Sequence, residues 1–317
     1  MAKGLGVILV MLGHLNLPFW LINSIYFFHM PLFVIISGYF HKVRSPREVV
    51  NSTVRLYLSY LVYGIVFLII SYILSGKVEL KSLGTLVLAR PASIWDIPYF
   101  GIFWFIIALM IIKVIAQLVK PNNITLVISL VLFFVVWYLQ TKGRSIVDLP
   151  FAPAQVVLLF PFYIIGLMIK GYLPGIQRWR WLVYIAFLIT GILSIVLADG
   201  TERKIVNYHQ LSLFNPVIAL LLAILGSMSL IILSGAVVRF KNRITDIVLS
   251  IGEYSFTYFA LHIFLFAMIA ETLNRLHVFN ASMHIIIMFL GTLLISRLAI
   301  MVFQRLERGM PIVTKLF

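Results

Sequence analysis

Residues 213–237 read LFNPVIALLLAILGSMSLIILSGAV, a run without a single charged side chain. An α-helix needs about 20 apolar residues to cross the hydrocarbon core of a bilayer, so this stretch predicts a membrane-spanning helix. Similar runs fall at roughly 5–22, 23–41, 55–75, 98–119, 124–139, 153–170, 181–198, 247–270 and 282–303. The sequence therefore predicts an all-α, polytopic integral membrane protein with about ten transmembrane helices. No linker or low-complexity segment divides residues 1–317, which are interpreted as a single transmembrane domain.

The composition supports the same class. Of 317 residues, 62% are hydrophobic and 11% are charged, and the mean hydropathy is +1.08. Soluble domains are about half apolar and a quarter charged, so the surplus apolar surface is expected to face lipid. The chain has no cysteine, which excludes disulfides, a thiol nucleophile and thiolate metal ligands. A lipid bilayer, and no nucleic acid, is the partner that this composition predicts.

The basic residues predict an orientation and account for the net charge of +15. With the N-terminus in the cytoplasm, 15 Lys and Arg residues fall on inner segments and 8 in outer loops, while Lys113 and Arg297 lie inside spans near their inner ends. Because cytoplasmic loops carry the excess of positive charge, both termini are expected in the cytoplasm. The first apolar run lacks a small-residue cleavage site and is interpreted as a retained span.

Several polar side chains fall inside the predicted spans. His14 lies in the first, His29 in the second, and Glu253 and His262 in the ninth. An ionisable group within a membrane is costly, so three histidines in separate spans predict an internal polar cavity. The alternative for each is a hydrogen bond between helices that contributes to packing only.

Lys3 and His14 form the most informative pair. Eleven residues separate them, so on a helix they project within about 20° of one face and about 16 Å apart along the axis. This spacing predicts a cation at the cytoplasmic rim and an imidazole near the midplane, an arrangement that suits an anionic cosubstrate. The alternative is a lysine that only anchors the first helix.

These residues resemble the acyltransferase 3 family of membrane-embedded acyltransferases, whose first span carries an Arg-x10-His motif. The run from Lys3 to His14 resembles that opening, with lysine in place of arginine, so the charge is kept and the planar bidentate fork is lost. The resemblance continues in order along the chain through Phe28–Phe33 and Ser37-Gly38-Tyr39, Arg55 and Tyr60, Gly101–Phe105, Phe162–Gly166, and Ser255, Tyr258 and His262. The start is most similar to members described as fucose 4-O-acetylase-like or polysaccharide O-acetyltransferases.

The resemblance implies transfer of an acetyl or other acyl group to a hydroxyl of a cell-surface or lipid-linked carbohydrate. Acetyl-CoA or another acyl-CoA would be a cosubstrate, with no tightly bound cofactor, and a bacterial cytoplasmic membrane would be the location. His14 is the expected general base, although an acyl-histidine intermediate is an open alternative. Lys3, Arg44 and Arg55 are the expected donor-binding residues; for the basic loops, a role in topology alone is the alternative. The expected supporting or acceptor-side residues are His29, Ser37, Trp104, Glu253, Ser255, Tyr258 and His262.

Other classes of function remain as alternatives. A proton-coupled transporter or flippase for a sugar-containing or lipid substrate would also place histidine and glutamate inside spans. The sequence shows no inverted repeat and no matching pair of broken spans, which disfavours a transporter. No metal site is expected, because Glu253 is nine residues from His262 and the histidines have no carboxylate at ligand spacing.

Overall fold

The structure is a computed structural model that describes residues 1–77, 80–91, 93–143, 146–172, 180–198, 205–278 and 280–309. Its helices, numbered here in chain order, are α1 (Ala2–Gly13), α2 (Phe19–Tyr26), α3 (His29–Tyr39), α4 (Pro46–Ser75), α5 (Leu80–Leu88), α6 (Trp104–Leu118), α7 (Asn123–Thr141), α8 (Pro153–Ile169), α9 (Arg180–Ala198), α10 (Pro216–Val237), α11 (Arg243–Glu253), α12 (Ser255–Arg275) and α13 (Ala281–Gly309). Short 3-10 turns cover Ser93–Asp96 and Gly101–Phe103. Strands β1 (Val206–Asn207) and β2 (Ser212–Leu213) pair antiparallel, with Val206 opposite Leu213.

The predicted fold class, an all-α polytopic membrane protein, is confirmed. Within the described residues, seven helical segments are long and apolar enough to cross a membrane: Phe19–Tyr39, Pro46–Ile73, Gly101–Leu118, Asn123–Thr141, Pro216–Val237, Ser255–Arg275 and Ala281–Val302. Three shorter apolar helices, Ala2–Gly13, Pro153–Ile169 and Tyr184–Leu197, coincide with the remaining predicted stretches.

The first predicted span, 5–22, is wrong in its extent. Helix α1 ends at Gly13, His14 caps it with φ −104° and ψ 2°, and Pro18 precedes α2 in an extended conformation. Proline has no N–H and disfavours helical conformation at the residue before it, so Leu17-Pro18 favours a break between α1 and α2. His14 therefore lies at a helix end, where the chain turns, and not within a continuous span.

The ninth predicted span, 247–270, is two helices. Helix α11 ends at Glu253, and Tyr254, with φ −96° and ψ 27°, separates it from α12. Asn242 caps α11 in a capping box with Thr245, and Arg243, Asp246 and Glu253 are exposed along this helix. Because a lipid environment opposes these charges, the span begins after them, at Ser255.

The described chain divides into two compact units. Unit 1 comprises Met1–Phe33 and the described parts of Gln177–Ile205 and Leu221–Lys315. In it α1 contacts α2, α11 and α12, while α2 contacts α9 and α12 contacts α13. Its core combines side chains from α1, α11, α12 and α13, the buried ones being Val7, Met11, Leu15, Ile251, Tyr258, Phe266 and Ile300.

Two glycines allow α1 and α11 to approach closely. A Cβ on Gly4 would lie 2.0 Å from the carbonyl oxygen of Val248, and one on Gly252 would lie 2.9 Å from the backbone nitrogen of Gly4. No side chain fits at these separations, so backbone packs on backbone at this crossing. The first turn of α1, which carries Lys3, is thereby fixed against α11.

Unit 2 comprises the described parts of Val34–Ile176 and Val206–Leu220. In it α4 contacts α6, α6 contacts α8, and α8 contacts α7. Aromatic rings fill the contact of α4 with the segment before α6: Phe100 stacks on Phe103 with ring centroids 4.3 Å apart, and Tyr60 donates a hydrogen bond to the carbonyl of Leu86 at 3.1 Å.

Candidate active site

Three histidines from three helices lie in unit 1 as one chain of aromatic rings. The ring centroid of His14 lies 5.0 Å from that of His262, in an edge-to-face arrangement, and 6.2 Å from that of Tyr26. Tyr26 is in turn 4.8 Å from His29. The predicted association of His14, His29 and His262 is therefore present, with Tyr26 between two of them.

The hydrogen bonds of these histidines define their tautomers. The Nδ1 atoms of His14, His29 and His262 lie 2.8, 2.9 and 2.7 Å from the carbonyl oxygens of Val10, Ile25 and Phe259. A carbonyl oxygen only accepts, so each Nδ1 carries the hydrogen when the ring is neutral. In all three rings the lone pair is then on Nε2, the nitrogen that can accept a proton.

The three histidines differ in access. His262 is 0% exposed and its Nε2 has no hydrogen-bond partner among the described residues. His29 is 4% exposed, whereas His14 is half-buried at the end of α1. Of the three imidazoles, that of His14 is thus the one open to a reactant.

The residues predicted around this cluster have different positions in unit 1. Lys3 is exposed in the first turn of α1, and its Cβ is 3.6 Å from the position of a Cβ built on Gly252. Tyr258 is buried in the core with Met11, and Ser255 is half-buried at the start of α12. Glu253 is exposed on α11, so its predicted place within the ninth span is wrong.

The other predicted residues belong to unit 2. Ser37 is half-buried on α3, and Arg55 is exposed on α4. Arg44 is exposed, and its backbone N–H donates to Oε1 of Gln117 at 3.1 Å, while Nε2 of Gln117 donates to the carbonyl of Lys42. Gln117 therefore fixes the segment after α3.

A group of cations surrounds His41 in this part of unit 2. Nδ1 of His41 lies 2.9 Å from Oη of Tyr163. Burial, followed by the charges of Arg44, Lys113 and Lys170, lowers the pKa of the His41 imidazole from its ordinary value. An anion would be attracted to such a group of positive charges.

Trp104 lies in a buried polar region of unit 2. Its ring centroid is 5.5 Å from that of His209, whose Nε2 is 2.7 Å from the carbonyl oxygen of Pro91. Gln155 donates to the carbonyl of His209 at 2.8 Å and to that of Val147 at 3.0 Å. Within the described chain, Oε1 of Gln155 and Oη of Tyr208 are buried without a hydrogen-bond partner.

Sequence reasoning missed two residues of unit 1. Tyr26 lies three residues before His29, and only the turn at Phe27-Phe28 shows that it faces both His29 and His14. Arg297 is half-buried on α13 and donates from Nη1 to Oγ of Ser250 at 2.9 Å. The sequence places it inside a span near its inner end and assigns it no role, although a cation within a span itself indicates a functional position.

The unit 1 cluster contains imidazole groups that can transfer protons. An imidazole that is held through Nδ1 and reached from one side can act as a general base. A search of the described residues finds no group of three His, Asp or Glu side chains that could hold a metal ion.

The fold and this cluster define a multi-pass membrane protein with a histidine-based site. The acyltransferase 3 family model, described as an acyltransferase domain, matches residues 1–301, and the chain belongs to that family. It is also similar to the nodulation protein NolL of Mesorhizobium japonicum (strain LMG 29417 / CECT 9101 / MAFF 303099), with 25% identity over 235 residues, which cover 68% of this chain and 58% of that protein. The chain thus spans little more than half the length of this relative. No solved structure matches.

Proposed function

We propose that the protein is a membrane-bound O-acyltransferase that moves an acetyl or other acyl group from acyl-CoA to a hydroxyl of a cell-surface or lipid-linked carbohydrate. The observation that carries the proposal is the geometry of His14, a half-buried imidazole whose Nδ1 is held by Val10 and whose Nε2 lone pair can accept a proton. Membership of the acyltransferase 3 family supports the class of reaction.

The reaction follows from the weakness of a sugar hydroxyl as a nucleophile. Its oxygen attacks the thioester carbonyl carbon while Nε2 of His14 accepts the hydroxyl proton. The tetrahedral intermediate collapses with cleavage of the C–S bond, and the imidazolium returns the proton to the departing thiolate. The products are the ester and free CoA, and His14 regains its starting tautomer. His29, Tyr26 and His262 position the His14 ring.

The phosphates of acyl-CoA require positive charge. Lys3, on the same helix as His14, and Arg55 are proposed donor contacts. In unit 2, the cations around His41 include Arg44 and support donor binding there. A bound phosphate would favour the protonated form of His41, so the affinity for CoA should rise as the pH falls. Replacement of His41 by glutamine should remove that part of the pH dependence.

The orientation is part of the proposal, because acyl-CoA is cytoplasmic. With both termini in the cytoplasm of a bacterium and the protein in its cytoplasmic membrane, reporter fusions after residues 45 and 241 should read cytoplasmic and fusions near 82 should read external. An external signal at residue 241 would contradict this orientation.

Purified protein incubated with acetyl-CoA labelled in the acetyl group tests the reaction. The label should appear on added carbohydrate or be released to water, and His14→Ala should abolish both. Protein that retains native mobility in size-exclusion chromatography but never removes the label would contradict an acyl-CoA-dependent enzyme.

A proton-coupled transporter or flippase is the second candidate, and one observation favours it. The ring of His14, at the end of α1, and that of His262, on the membrane-spanning helix α12, are 5.0 Å apart and could relay a proton. Proteoliposomes that move a labelled sugar lipid in response to a pH gradient, without any acetyl transfer, would favour this candidate over the enzyme.

A further inference from the structure

Arg297 is a cation on a membrane-spanning helix that the reaction above does not use. It lies in Ala281–Val302 and is half-buried. Within the described residues it forms one hydrogen bond, to Oγ of Ser250, and no ion pair with a carboxylate. A guanidinium has five N–H donors, and a charge in this environment is costly unless an anion or water compensates it.

The position of Arg297 on α13 directs it towards the core of unit 1. Leu293 packs against the core cluster and Ile300 is buried in it, and Arg297 lies one turn from each. Arg297 thus borders the packed interior of unit 1.

The register of α12 and α13 places Arg297 near the level of the histidine cluster. Gly291 faces Ile269 in this antiparallel pair, so Arg297, six residues further along α13, lies at about the level of Ile263 and thus of His262. His262 in turn contacts His14. Arg297 is therefore near the level of the proposed base.

We propose that Arg297 binds an oxyanion of the phosphate class in unit 1, and that the phosphate groups of the acyl donor supply it. This rests on the proposed function, because it assigns a further donor-binding residue to that reaction. Arginine suits the role, since its planar fork binds phosphate oxygens in a bidentate manner. The ammonium group of Lys3 is a point charge and cannot bind a phosphate in this bidentate manner. Arg297 on α13 would supply the planar guanidinium that α1 lacks.

A phospholipid headgroup has the same chemistry and is the other possible source of the anion. The lipid-facing side chains of α13 include Leu294 and Leu298, which are exposed on the side of the helix away from the core. The side chain of Arg297 is instead hydrogen-bonded to Ser250 of the neighbouring helix α11. The observed contacts favour the donor over the headgroup.

Binding of CoA to purified protein in neutral detergent, measured by calorimetry, tests the proposal without requiring acyl transfer. Arg297→Gln should weaken CoA binding about 10- to 100-fold, the effect of losing one charge-assisted phosphate contact. Arg297→Lys should lose less, because the charge remains. The matched control is Arg275→Gln, which removes an exposed cation paired with Glu271 and should leave CoA binding unchanged.

The variant Ser250→Ala distinguishes a role of Arg297 in CoA binding from a purely structural role of that residue. It removes the one observed partner of Arg297 and should leave CoA affinity within about threefold of wild type. If Ser250→Ala weakens CoA binding as much as Arg297→Gln, the arginine only ties α13 to α11 and the proposal is wrong.

Two further outcomes show whether the anion comes from the donor or from a lipid, and whether this inference fails alone or together with the proposed function. If Arg297→Gln binds CoA normally but loses thermal stabilisation by phosphatidylglycerol in nanodiscs, the ligand is a lipid headgroup and the proposal is overturned. Normal CoA binding by Arg297→Gln leaves the proposed reaction intact. A wild-type protein that binds no CoA contradicts the proposed function and this inference together.

Discussion

The three clustered histidines of unit 1 and His209 of unit 2 are bound in opposite ways. In unit 1, His14, His29 and His262 each use Nδ1 to contact a carbonyl one helical turn back, within three or four residues of sequence. In unit 2, His209 uses Nε2 to contact Pro91, which is 118 residues away, and its own carbonyl accepts from Gln155. The first arrangement fixes the ring through Nδ1 and makes Nε2 the nitrogen that can accept a proton; the second commits Nε2 to holding two loops together.

The difference shows how a residue type acquires a role. A bond to the ring's own helix fixes the tautomer and orientation of an imidazole without linking distant segments. A bond across the fold makes the imidazole part of the scaffold, and its loss leaves buried polar atoms without partners. The sequence around a single histidine does not show which of the two kinds of bond it makes.

The largest expected effect is a loss of folded protein on disruption of the scaffold in unit 2. Gly38 and Gly166 bring α3 and α8 into backbone contact, and a Cβ on Gly166 would lie 2.2 Å from the carbonyl oxygen of Ile35. Gly166→Val should abolish the monodisperse peak in size-exclusion chromatography. The control is Gly191→Val on α9, because no neighbouring heavy atom lies within 4 Å of a Cβ built on Gly191; this variant should purify normally. Equal yields would show that the contact is dispensable.

His209→Ala should lower stability and spare the chemistry. Removing the imidazole leaves the carbonyl of Pro91 without this bond and removes the contact with Trp104, so the expected loss is about 1–3 kcal/mol. Thermal unfolding, followed by native fluorescence, measures it. At a temperature where the variant is folded, its transfer rate per molecule should match wild type. If His209→Ala kept the full thermal stability of the wild type but lost activity, His209 would have a catalytic role and the structural role assigned to it would be wrong.

His262→Ala should have a smaller effect, and in contrast to His209→Ala it should lower activity more than stability. The ring of His262 touches His14 but is fully buried, so its loss should misplace the base and reduce transfer about tenfold, with a modest change in thermal stability. His29→Ala, which acts through Tyr26, should lose less. Transfer rates at matched folded fraction check the order. Complete inactivity of His262→Ala with full activity of a His14 variant would move the base to His262.

Much of unit 1 could be predicted from the sequence, because apolar run length and intramembrane charge carry the signal. The apolar runs identified the helical stretches, and His14 and His262 were expected near each other. The breaks at 14–18 and at Tyr254 were missed, since hydropathy averages across a turn that remains apolar. Glu253 was misplaced for this reason. Arg297 was placed inside a span but was not recognised as a candidate functional residue.

Less of unit 2 could be predicted. The neighbours of Trp104 come from segments far apart in sequence, and no periodic pattern links Pro91, Gln155 and His209. The cations around His41 similarly come from α6 and from the end of α8. Contacts of this kind depend on tertiary packing, which a single sequence does not display.

The rate of acetyl transfer by His14→Gln tests the central claim most directly. Glutamine keeps much of the volume and a hydrogen bond but cannot accept a proton, and general-base assistance contributes roughly 10²- to 10⁴-fold. With labelled acetyl-CoA and a carbohydrate acceptor, the purified variant should be monodisperse, bind CoA as wild type does, and transfer at least about 100-fold more slowly. Transfer by His14→Gln within about threefold of the wild-type rate would contradict the account, because the base would then be another group.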